Sequence, residues 1–247
     1  MRVLVPMAGD DTTPEGEQVN IYGNHVGSWN FAATAYLNRW KVKIYYEHYF
    51  DDHSQMFFQY GRWKDGHIGL EITFPKNRFI DTFVYEGLGT KDQTGPMLYD
   101  SFWGEFEEQI SAKDNYYNHY LYQGWQHWGM GIGNPLLPGP IYNKNGQITF
   151  ISNRVLAHHI GFCGSPCQSL SYRMLLSYSR HWGTYDNPLN EIKKQFNSLF
   201  EVTYAPQQLK GWSFTVSGAM DRGSILGNNY GGMLVIRKQG IIKSGNK

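Results

Sequence analysis

Residues Asn115 to Pro135 read NYYNHYLYQGWQHWGMGIGNP, twenty-one residues that hold six aromatic rings, two histidines and four glycines. Tyr and Trp present flat apolar faces with one polar atom each, which suits the hydrophobic face of a pyranose. Tyr117, Asn118, His119, Trp125, Gln126, His127 and Trp128 are the candidate carbohydrate-binding residues: rings for stacking, amides and imidazoles for sugar hydroxyls. The structural alternative places the rings at an interface belt and the glycines where a bulky loop folds back into a barrel. Gly129, Gly131 and Gly133 imitate a nucleotide loop in spacing only, because no βαβ unit surrounds them and no acidic partner follows at the right distance.

A second cluster, YYEHYFDDHSQMF, collects Glu47, His48, Asp51, Asp52 and His53. Carboxylates and imidazoles this close could hold a divalent cation. On a strand, however, Glu47 and His48 point to opposite faces, and the Asp pair reads as a solvated loop tip. His158 and His159 divide between faces in the same way, the inward one able to meet Arg154 or a carboxylate. Glycoside hydrolysis needs two carboxylates about 5–10 Å apart. Glu47, Asp51, Glu105 and Asp114 are available, but nothing in their spacing pairs two of them. No nucleophile elbow, His-Glu metal helix or phosphate loop is present. The expectation is a non-catalytic protein that needs no metal and no cofactor. Cys163 and Cys167 flank Gly-Ser-Pro; they are free thiols, or a cross-strand disulfide if that tripeptide turns a hairpin. SFWGEFEEQIS reads as a short loop helix with Glu105, Glu107 and Glu108 facing water.

The elements that must position these groups are strands. Rings make up 16% of the 247 residues and there are 28 glycines, a composition that suits β structure better than a helical bundle. Charges nearly cancel, 22 basic against 21 acidic, and no basic run exists to track phosphates, which argues against nucleic acid. No apolar run approaches the ~18 residues of a membrane helix.

Segments of about ten residues alternate with period two. Trp29, Phe31, Ala33, Ala35 and Leu37 oppose Ser28, Asn30, Thr34 and Tyr36. Trp40, Val42, Ile44 and Tyr46 oppose Lys41, Lys43, Tyr45 and Glu47. Leu170, Tyr172, Met174, Leu176 and Tyr178 oppose Ser171, Arg173, Ser177 and Ser179. Phe196, Phe200, Val202 and Tyr204 oppose Gln195, Asn197, Glu201 and Thr203. Trp212, Phe214, Val216 and Met220 oppose Ser213, Thr215, Ser217 and Asp221. Short turns at 37–40, 75–78 and 205–211 alternate with longer excursions at 87–147 and 182–194. One ring-rich face, one charged face and turns of unequal length predict an all-β, transmembrane, antiparallel up-and-down barrel of about nine strands, with lipid outside and water inside. A sheet with one solvated face produces the same alternation. Lumenal charges at Lys41, Lys43, Glu47, Arg173 and Glu201 also fit a general porin or transporter.

Several stretches together resemble the Wzi-type capsule-assembly proteins of the gram-negative outer membrane. They are GNHVGSWNF with YYEHYFDDHSQMF, then NYYNHYLYQGWQHWGMGIGNPLL, NRVLAHHIGF, LSYSRHWGTYDNPL and QLKGWSFTVSGAMDRGSILGNNYGGMLVIRKQG, in order along the chain. The resemblance implies a barrel about twice this length, of which residues 1–247 form the C-terminal half. Residues 1–18 would be a remnant of the preceding segment, and no signal peptide opens the chain. It implies a location in the outer membrane beside its lipid and the N-terminal half, and a lectin-like role in holding capsular polysaccharide or another surface glycan. The tail IIKSGNK departs from the terminal aromatic expected of such barrels. No individual ligand-binding residue follows from the resemblance.

Overall fold

The computed structural model describes residues 11–12, 27–50, 65–77, 79–93, 114–118 and 125–240. Its strands are β1 (Gly27–Leu37), β2 (Trp40–Phe50), β3 (Gly66–Thr73), β4 (Thr82–Gly89), β5 (Gln126–His127), β6 (Met130–Gly131), β7 (Val155–Cys167), β8 (Leu170–Gly183), β9 (Pro188–Tyr204), β10 (Trp212–Gly223) and β11 (Asn229–Lys238). Nine of them form one sheet in the order β1-β2-β3-β4-β7-β8-β9-β10-β11, every pair antiparallel. The small β5–β6 hairpin stands apart, and a single 3-10 turn covers Pro140–Tyr142.

Turn chemistry explains the meander. Asn38 sits at φ 58° in the β1–β2 turn, a left-handed conformation asparagine tolerates. Asn77 closes β3–β4: its Oδ1 accepts from the amides of Phe79 and Ile80 at 2.8 and 2.9 Å. One alternative left open by the sequence is decided here, and one expectation is corrected. Gly164-Ser165-Pro166 does not turn a hairpin; it lies inside β7 as a register shift, the chain reverses at Gln168–Ser169, and both thiols are free. Nor is 182–194 a long excursion. The connection spans only 184–187, where the Thr184 hydroxyl accepts from the Asn187 amide at 2.9 Å, and Pro188 opens the seventeen-residue β9.

The alternation read from the sequence runs unbroken across the sheet, because paired residues share a face. One central row reads Ala33, Ile44, Leu70, Tyr85, Ile160, Leu176, Ser198, Met220, Tyr230. On the opposite face the matching row reads Thr34, Lys43, Glu71, Val84, Gly161, Leu175, Leu199, Ala219, Gly231. Ser28 of β1 and Leu226 beside β11 line one cleft, so the sheet curls and its polar face is concave. The convex face is the apolar one and it is bare: Ile44 is 54% exposed, Leu234 65% and Tyr230 79%. A sheet with one solvated face usually buries its apolar side; here the apolar side is exposed.

The buried apolar cluster lies on the concave side. Leu88, Val155 and Ala157 of the sheet pack against Tyr117, Leu137 and Phe150 of the β4–β7 connection, with Tyr49, Trp125 and Leu136 around them. No closing ladder joins β1 to β11 among the described residues.

Candidate functional site

The cleft between the concave face and the β4–β7 connection has a volume of about 810 Å³. Its floor comes from neighbouring strands in register. Glu47 of β2 pairs with His67 of β3, and Glu86 of β4 with His159 of β7; His159 pairs with Ser177 of β8, and Ser177 with Asn197 of β9. His67 lies between the two carboxylates, its Nδ1 3.7 Å from Glu47 Oε2 and its Nε2 3.5 Å from Glu86 Oε1. Ser28 donates to Glu47 Oε1 at 2.6 Å, and Tyr45 donates to Glu86 Oε1. His159 Nδ1 meets the Ser177 hydroxyl at 2.7 Å, and Asn197 donates to Asp221 at 2.7 Å. The roof is Tyr116, Tyr117 and Gly133–Leu137.

A buried amide network fixes that roof. Asn153 donates to Asn115 Oδ1 at 2.6 Å and to the Tyr116 carbonyl at 2.8 Å, while Gln93 donates to Asn153 Oδ1 at 2.7 Å. The Tyr116 hydroxyl donates to buried Asp65 at 2.8 Å. Burial demands partners for such groups, and the network supplies them for all but Gln93 Oε1, which is buried with no hydrogen bond among the described residues.

The candidate carbohydrate residues separate. Tyr117 is buried in the core cluster and its hydroxyl accepts from the Asn134 amide at 3.2 Å. Asn118 clamps Phe150, donating to its carbonyl and accepting from its amide, both at 2.8 Å. Gln126 Oε1 accepts from Gly129 at 2.7 Å and so braces the hairpin. Trp125 is half-buried against the core, whereas His127 and Trp128 are exposed, Trp128 by 84%. Trp128 also sits at φ 53°, strained for an aromatic residue at a hairpin tip. Of the two roles the sequence offered for Tyr117, Asn118 and Gln126, sugar contact or structure, these bonds serve the structural one, and of the three only Tyr117 lines the cleft. His119 lies outside the described residues, as do Asp51, Asp52, His53, Glu105, Glu107 and Glu108.

Glu47 and His48 do oppose each other: Glu47 faces the cleft and His48 is buried on the convex side. His158 meets the Tyr85 hydroxyl at 2.8 Å on the convex face. His159, the inward histidine, stands beside Glu86; Arg154 instead donates to the Lys91 carbonyl and lies over the Tyr185 ring. Lys41, Lys43, Glu47, Arg173 and Glu201 all lie on the concave face, with Lys41–Glu71 at 3.5 Å and Arg173–Glu201 at 3.4 Å. Among the described residues no group of His, Cys, Asp and Glu could hold a metal ion.

Sequence reading overlooked His67, Glu86, Ser28 and Tyr45 as a unit. The usable signal was parity in β3 and β4, where His67, Gly69 and Glu71, and Val84, Glu86 and Leu88, fall on the polar face. The fold and site define an all-β protein built on one curled antiparallel sheet, with a largely apolar cleft on its inner face whose floor carries Glu47, His67 and Glu86. Comparison with known protein families, characterised proteins and solved structures returns no match.

Proposed function

We propose that this chain is part of a transmembrane β-barrel of a gram-negative outer membrane, and that it holds capsular polysaccharide or a related surface glycan without turning it over. The observation that carries the membrane half of the reading is where charge occurs on the convex face. At one end of that face lie Arg180, Lys194 and Arg222, and at the other Lys238; the rows between contain no Asp, Glu, Lys or Arg. Along β10, from Arg222 to Trp212, which pairs with Lys238, the chain makes roughly ten steps of ~3.3 Å, about 33 Å. Tilted by about 40°, that length spans about 25 Å, the height of the apolar band of an outer-membrane barrel.

Rings occur at both margins, as amphipathic side chains do at headgroups, and Tyr85 and Tyr230 also stand in the central row. Trp40, Phe74, Tyr204 and Trp212 lie at the short-turn end; Phe31, Tyr46, Tyr178 and Phe196 lie towards the other. In lipid the free edges of β1 and β11 would each cost several kcal/mol per unpaired backbone group. Further strands from an N-terminal half are the partner this reading calls for.

The glycan half rests on the cleft, where hydroxyl-binding groups meet ring-lined walls, and on the Wzi-type resemblance. The test is fractionation of the full-length protein followed by binding of purified capsular polysaccharide. Outer-membrane recovery with heat-modifiable gel mobility, and saturable polysaccharide binding, are the expected results. Recovery as a soluble protein ends the barrel reading. The concave ion pairs Lys41–Glu71 and Arg173–Glu201 favour a second reading, a general porin. Steady ion conductance in planar bilayers without polysaccharide binding would select it.

A further inference from the structure

Glu86 is the acceptor around which the cleft is organised. Its Oε1 takes the Tyr45 hydroxyl and faces His67, whereas its Oε2 accepts no hydrogen bond among the described residues. Glu86 nevertheless lines the cleft, together with Glu47 from β2. A carboxylate oxygen with spare lone pairs is a strong acceptor for hydroxyl protons, and the two lone pairs of Oε2 can take two adjacent hydroxyls. Tyr49, Phe50 and Tyr116 line the same cleft and offer the apolar surface that the C–H face of a sugar ring needs. Neither Lys nor Arg lines the cleft among the described residues. A uronic acid, sialic acid or phosphorylated sugar would bring its negative charge against two carboxylates with no fixed cation to offset it.

We propose that this cleft is a saccharide-binding subsite, that Glu86 is its central hydroxyl acceptor, and that it takes a neutral hexose unit with free vicinal hydroxyls. The proposal rests on the glycan-binding reading above and moves the recognition chemistry from the exposed ring hairpin to the floor of the curled sheet. Glu47, its Oε1 already engaged by Ser28, presents Oε2 towards His67 on the other side of the subsite. Selectivity then follows from charge: the polar face supplies acceptors and hydroxyls where the ligand sits, and keeps its Lys and Arg further down the strands at 41, 43 and 173.

The test titrates the full chain in detergent micelles with fluorescently labelled oligosaccharides of equal length, one series built of glucose and galactose and one of hexuronic acids. Neutral chains should bind more tightly by about tenfold or more, and Glu86→Gln should weaken them by a similar factor while leaving gel mobility unchanged. Glu47→Gln provides a second variant should the first not fold, with the same direction expected. Equal or tighter binding of the hexuronic series, or neutral binding indifferent to both variants, overturns the subsite while the glycan-binding reading stands. Absence of binding to every oligosaccharide and to capsular polysaccharide removes both.

Discussion

Tyr45 of β2 reaches over Gly69 of β3 to donate its hydroxyl to Glu86 of β4. The reach depends on residue 69 having no side chain, because a Cβ there would meet the Tyr45 ring. Three adjacent strands are thus tied by one ring that crosses the middle strand, and the same bond orients the carboxylate that the cleft uses. Gly69→Ala should cost about 1–3 kcal/mol by overpacking. Tyr45→Phe, which removes only the hydroxyl, should cost about 1–2 kcal/mol. Chemical unfolding in micelles measures both; an alanine at 69 as harmless as one on the surface would show that the ring lies elsewhere.

The bare convex face gives a depth-dependent prediction. Ile44 lies in the middle row and Leu37 at its margin, and both are exposed. In a bilayer, Ile44→Arg should cost about 2–4 kcal/mol and Leu37→Arg about 0–1 kcal/mol. If water rather than hydrocarbon bathes this face, neither arginine is costly. Folding titrations in lipid vesicles separate the two cases.

Asn118 should prove structural. Its amide closes two 2.8 Å bonds with the Phe150 backbone and a 3.0 Å bond to Asn115. Asn118→Ala leaves those partners unpaired and should cost about 1–3 kcal/mol. Limited proteolysis should then cut within the β4–β7 connection while the strands stay protected.

The two tryptophans of the ring-rich stretch should behave differently. Trp125 packs on the core cluster, and Trp125→Ala should destabilise by about 1–3 kcal/mol. Trp128, almost wholly exposed, should change stability by less than about 0.5 kcal/mol when replaced. A double replacement would therefore confuse misfolding with lost binding, and Trp128→Ala alone is the clean probe of a sugar contact at the hairpin tip. Unchanged polysaccharide affinity in that variant assigns recognition to the cleft.

Strands were legible because a two-residue period is a local property of the chain. Trp40, Val42, Ile44 and Tyr46 declare one face of β2 whatever surrounds them, and Glu47 and His48 must part company on any strand. Turns at Asn38 and Asn77 were legible for the same reason. Misreadings arose where local chemistry was ambiguous. Pro188, Glu191, Lys193 and Lys194 resemble a loop, yet β9 carries them as an extension beyond the apolar rows. Gly164-Ser165-Pro166 resembles a turn, yet β7 absorbs it as a bulge.

By itself the sequence determined that the chain alternates, which residues share a face, and that those faces differ in polarity. Alternation is symmetric, so it could not say which face becomes concave or what would then converge there. Only the tertiary structure decided that. Curling the sheet brings Glu47, His67 and Glu86, on three different strands, to one cleft, and Tyr116, Tyr117 and Gly133–Leu137 become its roof, fixed by amide bonds spanning about thirty to sixty residues of sequence. Such contacts depend on where the ends of a long connection land in space, and no short window of residues records that.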